Sequence, residues 1–107
     1  MSSPGMSAPG GLDPQDPDVL SVTLTMVNRR GLHARAAAKL VTVAEQFDAN
    51  VEVTRADQTV SARSIMGLMM LGAGRGESIT LMATGWDAHA AIEALVALIE
   101  AGFHEDD

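Results

Sequence analysis

Apolar and polar residues alternate along Leu20–Met26: Leu20, Val22, Leu24 and Met26 on one side, Ser21, Thr23 and Thr25 on the other. A period of two describes a strand with one buried face. Asn28-Arg29-Arg30-Gly31 interrupts it. From Ala34 to Phe47 the period lengthens, and Ala37, Leu40, Val41, Ala44 and Phe47 fall on one helical face. Val51 and Val53 then alternate with Glu52 and Thr54. Asp57-Gln58 predicts a hairpin turn, with Thr59–Ala62 as the returning strand. Ser64–Leu71 is short, apolar and rich in methionine, and predicts a helix of two turns. Gly72, Gly74 and Gly76 mark a loop. Ile79, Leu81 and Ala83 alternate with Thr80, Met82 and Thr84, a fourth strand. Asp87 is placed to cap a last helix, whose stripe is Ile92, Leu95, Val96 and Ile99 and whose end lies near Gly102.

The order is strand, helix, strand, strand, helix, strand, helix. One apolar face per strand predicts a two-layer α+β domain, with a mostly antiparallel sheet covered on one side by helices. Residues 1–17 hold all four prolines, with Gly5, Gly10, Gly11 and three serines. They predict a flexible tail over 1–18, followed by one folded domain over 19–104 and a short acidic end, 105–107.

A chain of 107 residues suits one domain, and 47% hydrophobic residues suffice for a core. Cysteine is absent, which excludes disulfides, thiol catalysis and thiolate metal sites. No apolar run reaches the roughly 18 residues of a membrane span, and no secretory signal opens the chain. The expectation is a cytoplasmic protein with no membrane partner. The net charge of −7 lies mostly at the ends: residues 19–104 carry eight acids against seven bases. Nucleic-acid binding wants a basic surface and stacking platforms, but this domain is near neutral and has only Phe47, Trp86 and Phe103 as aromatics.

The chemistry concentrates in Gly31-Leu32-His33-Ala34-Arg35. A histidine stands where a loop becomes a helix, and an arginine follows in the first turn. Backbone N–H groups at a helix start bind anions, and the macrodipole favours negative charge there. Arg35 is unfavourable to the helix at that end, by about 0.3–1 kcal/mol, unless an anion arrives. Positive surroundings favour the neutral ring, whose lone pair is a nucleophile. Together these residues describe a site that could accept and neutralise a phosphoryl group. A histidine near a helix start is more often an ordinary surface or capping residue, so spacing alone does not decide between the two.

Ser64 is a natural helix cap, and a phosphate at the same position is compatible with the helix dipole. Met66, Met69 and Met70 are too many for one face of a short helix. Methionines at such spacing are usually core, but flexible thioethers also suit a surface that meets several partners. His89 and His104 read as surface residues, and no metal or cofactor site emerges. Gly72–Gly76 lacks the Lys-Ser/Thr of a phosphate loop.

Gly31-Leu32-His33-Ala34-Arg35 and its alanine-rich helix resemble the active-site signature of the HPr family, phosphocarriers of the bacterial phosphotransferase system. Arg63-Ser64-Ile65-Met66-Gly67-Leu68-Met69 resembles the family's second signature, around a regulatory serine. The resemblance runs from about Val19 to about Phe103. It implies an open-faced β-sandwich, a four-stranded antiparallel sheet with three helices on one face. It implies His33 as phosphoryl acceptor at Nδ1, Arg35 as the phosphate-neutralising residue and Ser64 as the target of HPr kinase/phosphorylase. Enzyme I would be the donor and an EIIA domain the acceptor, with Ala34, Ile65, Met66 and Met69 in the docking surface. Such a protein is a monomeric carrier without a cofactor, not an independent enzyme. Ala36 stands where most sugar-system members carry proline, a form that resembles the nitrogen-related branch and some proteobacterial members. Two alternatives stay open: a regulatory protein that binds kinases or transcription factors according to its phosphorylation state, and a carrier domain detached from a dihydroxyacetone-kinase-type protein.

Overall fold

The computed structural model describes residues 11–105. Strands β1 (Leu20–Thr25), β2 (Asn50–Arg55), β3 (Gln58–Ser61) and β4 (Ser78–Thr84) form one antiparallel sheet in the order β1-β4-β2-β3. Helices α1 (Ala34–Ala44), α2 (Ile65–Leu71) and α3 (Ala88–Glu100) cover one face, and a single 3-10 turn, Gly102–His104, follows α3. This is the predicted open-faced sandwich.

The core lies between the sheet and the helices. Val53, Leu81 and Ile79 point into it from the strands, Leu40 and Ala37 from α1, Leu68 and Leu71 from α2, and Leu95 and Ile99 from α3. Phe103 is fully buried and closes the core after the last helix. The α3 stripe is centred on Ala91, Leu95, Leu98 and Ile99; Ile92 and Val96 are only partly buried beside it. Phe47 lies beyond the end of α1 and is also only partly buried.

The hairpin turn falls on Ala56-Asp57, one residue before the predicted position. Ala56 takes a positive φ of 56°, a conformation usually given to Gly or Asn, so the sequence carries no signal for it. This register sets Val60 against Val53 in the core and Thr54 against Thr59, whose hydroxyls meet at 2.8 Å. Asp87 occupies the cap position of α3, but its carboxylate accepts the Asp48 N–H at 2.8 Å instead of an N–H of its own helix. It thereby ties the start of α3 to the loop after α1.

Residues 1–10, which hold most of the predicted flexible tail, lie outside the described residues, as do Asp106 and Asp107. Residues 11–18 are not detached from the domain. Asp13 Oδ1 accepts the Gln15 N–H and Asp16 Oδ1 the Asp18 N–H, both at 2.9 Å, giving successive aspartate turns. The segment reaches the uncovered face of the sheet, where the Leu12 N–H donates to Glu52 at 2.7 Å. Glu52 and Met82, which point away from the helices, are buried there. The acidic turns and the apolar Leu12 act together, and a composition count reads only the first.

Candidate functional site

His33 is the residue before α1, with extended backbone (φ −77°, ψ 178°). Its carbonyl accepts the Ala37 N–H at 2.8 Å, the first bond of the helix. The N–H groups of the preceding turn therefore have no acceptor within the helix. The His33 side chain does not cap them.

The loop before His33 is fixed from below. Gly31 has φ +63°, and a Cβ there would lie 2.3 Å from the Ala73 carbonyl oxygen. The next residue, Leu32, donates its N–H to that same carbonyl at 2.9 Å. The loop 72–77 is held in turn by Glu77, which accepts the Gly74 N–H and an Arg55 N–H, each at 2.6 Å. Arg55 also donates to the Leu71 carbonyl at the end of α2. The Gly74 N–H, with Arg55, holds the Glu77 carboxyl below the usual carboxylate range.

The side chain of His33 is 16% exposed and its Nε2 contacts Glu105 Oε2. The other Glu105 oxygen accepts from Asn28 Nδ2 at 3.0 Å, and Asn28, itself buried, also donates to the Gly31 carbonyl at 2.7 Å. Burial opposes ionisation of Glu105, but hydrogen bonds from Asn28 and His33, and the charges of His33 and Lys39, outweigh it and keep the carboxyl below its usual range. Glu105 thus belongs to the domain and to this site, not to a separate acidic end. It lies 72 residues from His33, and no spacing rule reaches that far. Lys39 fixes the approach of the C-terminal segment by donating to the Phe103 carbonyl at 2.6 Å.

Arg35 is exposed in the first turn of α1. With Lys39 and His104 it rims an open groove of about 400 Å³ whose floor includes Val43 and Leu98. Arg35 thus places an exposed cation in the first turn of α1, two residues after His33. Among the described residues, no cluster of His, Cys, Asp and Glu could hold a metal ion.

Ser64 caps α2, its Oγ accepting the Gly67 N–H at 2.9 Å. It is not beside His33. Arg63 donates to the Phe47 and Ala49 carbonyls, past the far end of α1, whereas the residues after α2 support Gly31. Helix α2 buries only Leu68 and Leu71, leaving Ile65, Met66, Met69 and Met70 exposed, the last three against the usual core role of methionine. Ala34 is exposed as well. His89 and His104 are exposed, as expected.

The structure thus presents a histidine at a helix start with an exposed arginine two residues further on. Residues 20–101 match the family model described as the PTS HPr component phosphorylation site. Phosphocarrier protein NPr of Shewanella violacea is 46% identical over 82 residues, 77% of this chain and 90% of that protein. Phosphocarrier protein HPr of Cupriavidus necator is 47% identical over 83 residues, 78% of this chain and 93% of that protein. The crystal structure of HPr-C-His from Thermoanaerobacter tengcongensis matches with a TM-score of 0.79 and 43% identity, over 82% of this chain and 99% of that one. The chain belongs to the HPr family, and it is an HPr-type phosphocarrier of the phosphotransferase system. Among the described residues no helix is long and apolar enough to cross a membrane.

Proposed function

We propose that His33 takes a phosphoryl group from phospho-enzyme I and passes it to an EIIA domain in the cytoplasm, forming a transient phosphohistidine. The observation that carries this reading is the placement of the His33 imidazole at the first turn of α1, within the matched residues and beside exposed Arg35. The helix start and the arginine counter the charge of the incoming group. Catalysis comes from the partner active sites, and this chain supplies a positioned nucleophile. Ala34, Ile65, Met66 and Met69 form the docking surface, their exposure supporting that role.

Incubation with enzyme I and phosphoenolpyruvate is expected to give one acid-labile phosphate per chain. His33→Ala abolishes it and stays folded; retained acid-labile phosphate in that variant removes the reading. Arg35→Ala slows transfer, and Arg35→Lys restores part of the rate, because lysine returns the charge without the planar donors.

Ser64 is the proposed target of HPr kinase/phosphorylase. A phosphate there carries about −1.5 to −2 charges at the edge of the apolar docking strip, and its desolvation weakens docking without unfolding α2. The expected signature is a raised apparent Michaelis constant for enzyme I-dependent phosphorylation. A second reading, regulation of kinases or transcription factors in a nitrogen-related branch, is favoured by Ala36 and by similarity to a protein named NPr. Competing sugar-type against nitrogen-type enzyme I for this chain separates the two.

A further inference from the structure

The Glu105 carboxylate has one oxygen on the Asn28 amide and the other on Nε2 of His33. Both neighbours of the Asn28 amide group, the Gly31 carbonyl and Glu105, are acceptors, so its NH₂ must face them. One Glu105 oxygen is thereby committed, and the second, acceptor-only in an ionised carboxylate, requires a donor from the ring. We infer that Glu105, anchored by Asn28, is a positioning residue that holds neutral His33 as the Nε2–H tautomer and so reserves the Nδ1 lone pair for phosphoryl transfer.

The inference rests on His33 being the acceptor and adds what prepares it. A carboxylate on the far nitrogen of a histidine fixes tautomer and ring orientation in metal sites and in serine-protease triads alike. The transfer step balances without a proton leaving the ring. The Nδ1 lone pair forms the new P–N bond. The bond between phosphorus and the donor atom that carried it breaks, and its electron pair returns to that atom. Nε2–H stays on Glu105, and the phosphorylated ring, formally cationic, keeps the carboxylate as counter-charge.

The discriminating variant is Glu105→Gln. Its amide oxygen still accepts from Asn28, so its NH₂ faces Nε2 and draws the ring into the Nδ1–H tautomer. The lone pair at Nδ1 is then occupied. Glu105→Ala removes the bias and leaves the ring its ordinary mixture. The rate follows the competent fraction of rings. The expected order of phosphorylation is therefore wild type, then Ala, then Gln, with Gln slowed by about tenfold or more in kcat and little changed in KM. A merely structural role predicts the reverse, since glutamine is nearly isosteric with glutamate and alanine is not.

Long-range ¹⁵N–¹H spectra of the imidazole, recorded on full-length chains at a pH where the ring is neutral, read the tautomer without any phosphoryl transfer. Nε2–H in the wild type and a shift toward Nδ1–H in Glu105→Gln support the inference. An Nδ1–H ring in the wild type, unchanged spectra in both variants, or a glutamine variant faster than the alanine one overturns it. Absence of phosphate on His33 together with the expected spectra refutes the carrier reading of this residue while leaving the tautomer assignment intact.

Discussion

Replacing Gly31 with alanine tests how firmly the site loop is built. Two costs arise. A positive φ costs an L-residue about 1–2 kcal/mol, partly offset by about 0.4–1 kcal/mol from a less flexible unfolded chain. The new Cβ would also lie 2.3 Å from the Ala73 oxygen and 2.8 Å from Gly74 Cα, both backbone atoms that cannot swing away. Displacing them costs about 1–3 kcal/mol as overpacking and weakens the Leu32–Ala73 hydrogen bond, worth about 0.5–1.5 kcal/mol. The total is about 2–6 kcal/mol. Gly72 provides the control: its φ is +66°, but a Cβ there meets nothing within 4 Å. Gly72→Ala therefore isolates the backbone cost, about 1 kcal/mol. Urea unfolding should be followed by far-ultraviolet circular dichroism, because Trp86 is 88% exposed and a poor reporter of the core. With unchanged m-values, the unfolding free energies read from the two midpoints should differ by at least about 1.5 kcal/mol. In heat, Gly31→Ala should melt about 10–20 °C below the wild type. Equal losses for the two variants would refute the reasoning, because the loop carrying His33 would then shift freely away from Ala73.

Removing residues 1–17 should lower stability by about 1–2 kcal/mol, because it uncovers Met82 while returning Glu52 to water; an unchanged urea midpoint would mean the segment contributes nothing to the sheet. Ser64→Ala should cost about 1 kcal/mol through loss of the bond to Gly67, measured in the same titration. The carboxyls of Glu77 and Glu105 lie below their ordinary 4.5 in the folded chain, so the stability they provide is complete above that pH and is lost as pH falls through the lowered values. Urea midpoints should fall across that acid interval, and less steeply in Glu77→Gln.

What the sequence determined by itself is local. The two-residue period of Leu20–Thr25 and Ser78–Thr84, the helical stripe of Leu40, Val41 and Ala44, and the cap at Ser64 all depend on neighbours within a turn or a pleat, and each lies where the pattern put it. The motif around His33 also fixed the family, because a helix start, a histidine and an arginine sit within five residues. The one-residue error at Ala56-Asp57 shows where local rules stop: a threonine pair and the meeting of Val53 with Val60 across the hairpin define the register there, against the turn preferences of the residues themselves. Only the tertiary structure brought Glu105, anchored by Asn28, to the ring, laid Leu12 over Glu52, and left Met66 and Met70 in solvent while Met26 and Met82 were buried. Methionine carries no signal for which side of a two-layer fold it will face. An acidic residue near the chain end reads as a solvated tail until a buried Phe103 draws its segment against the helix that holds the histidine.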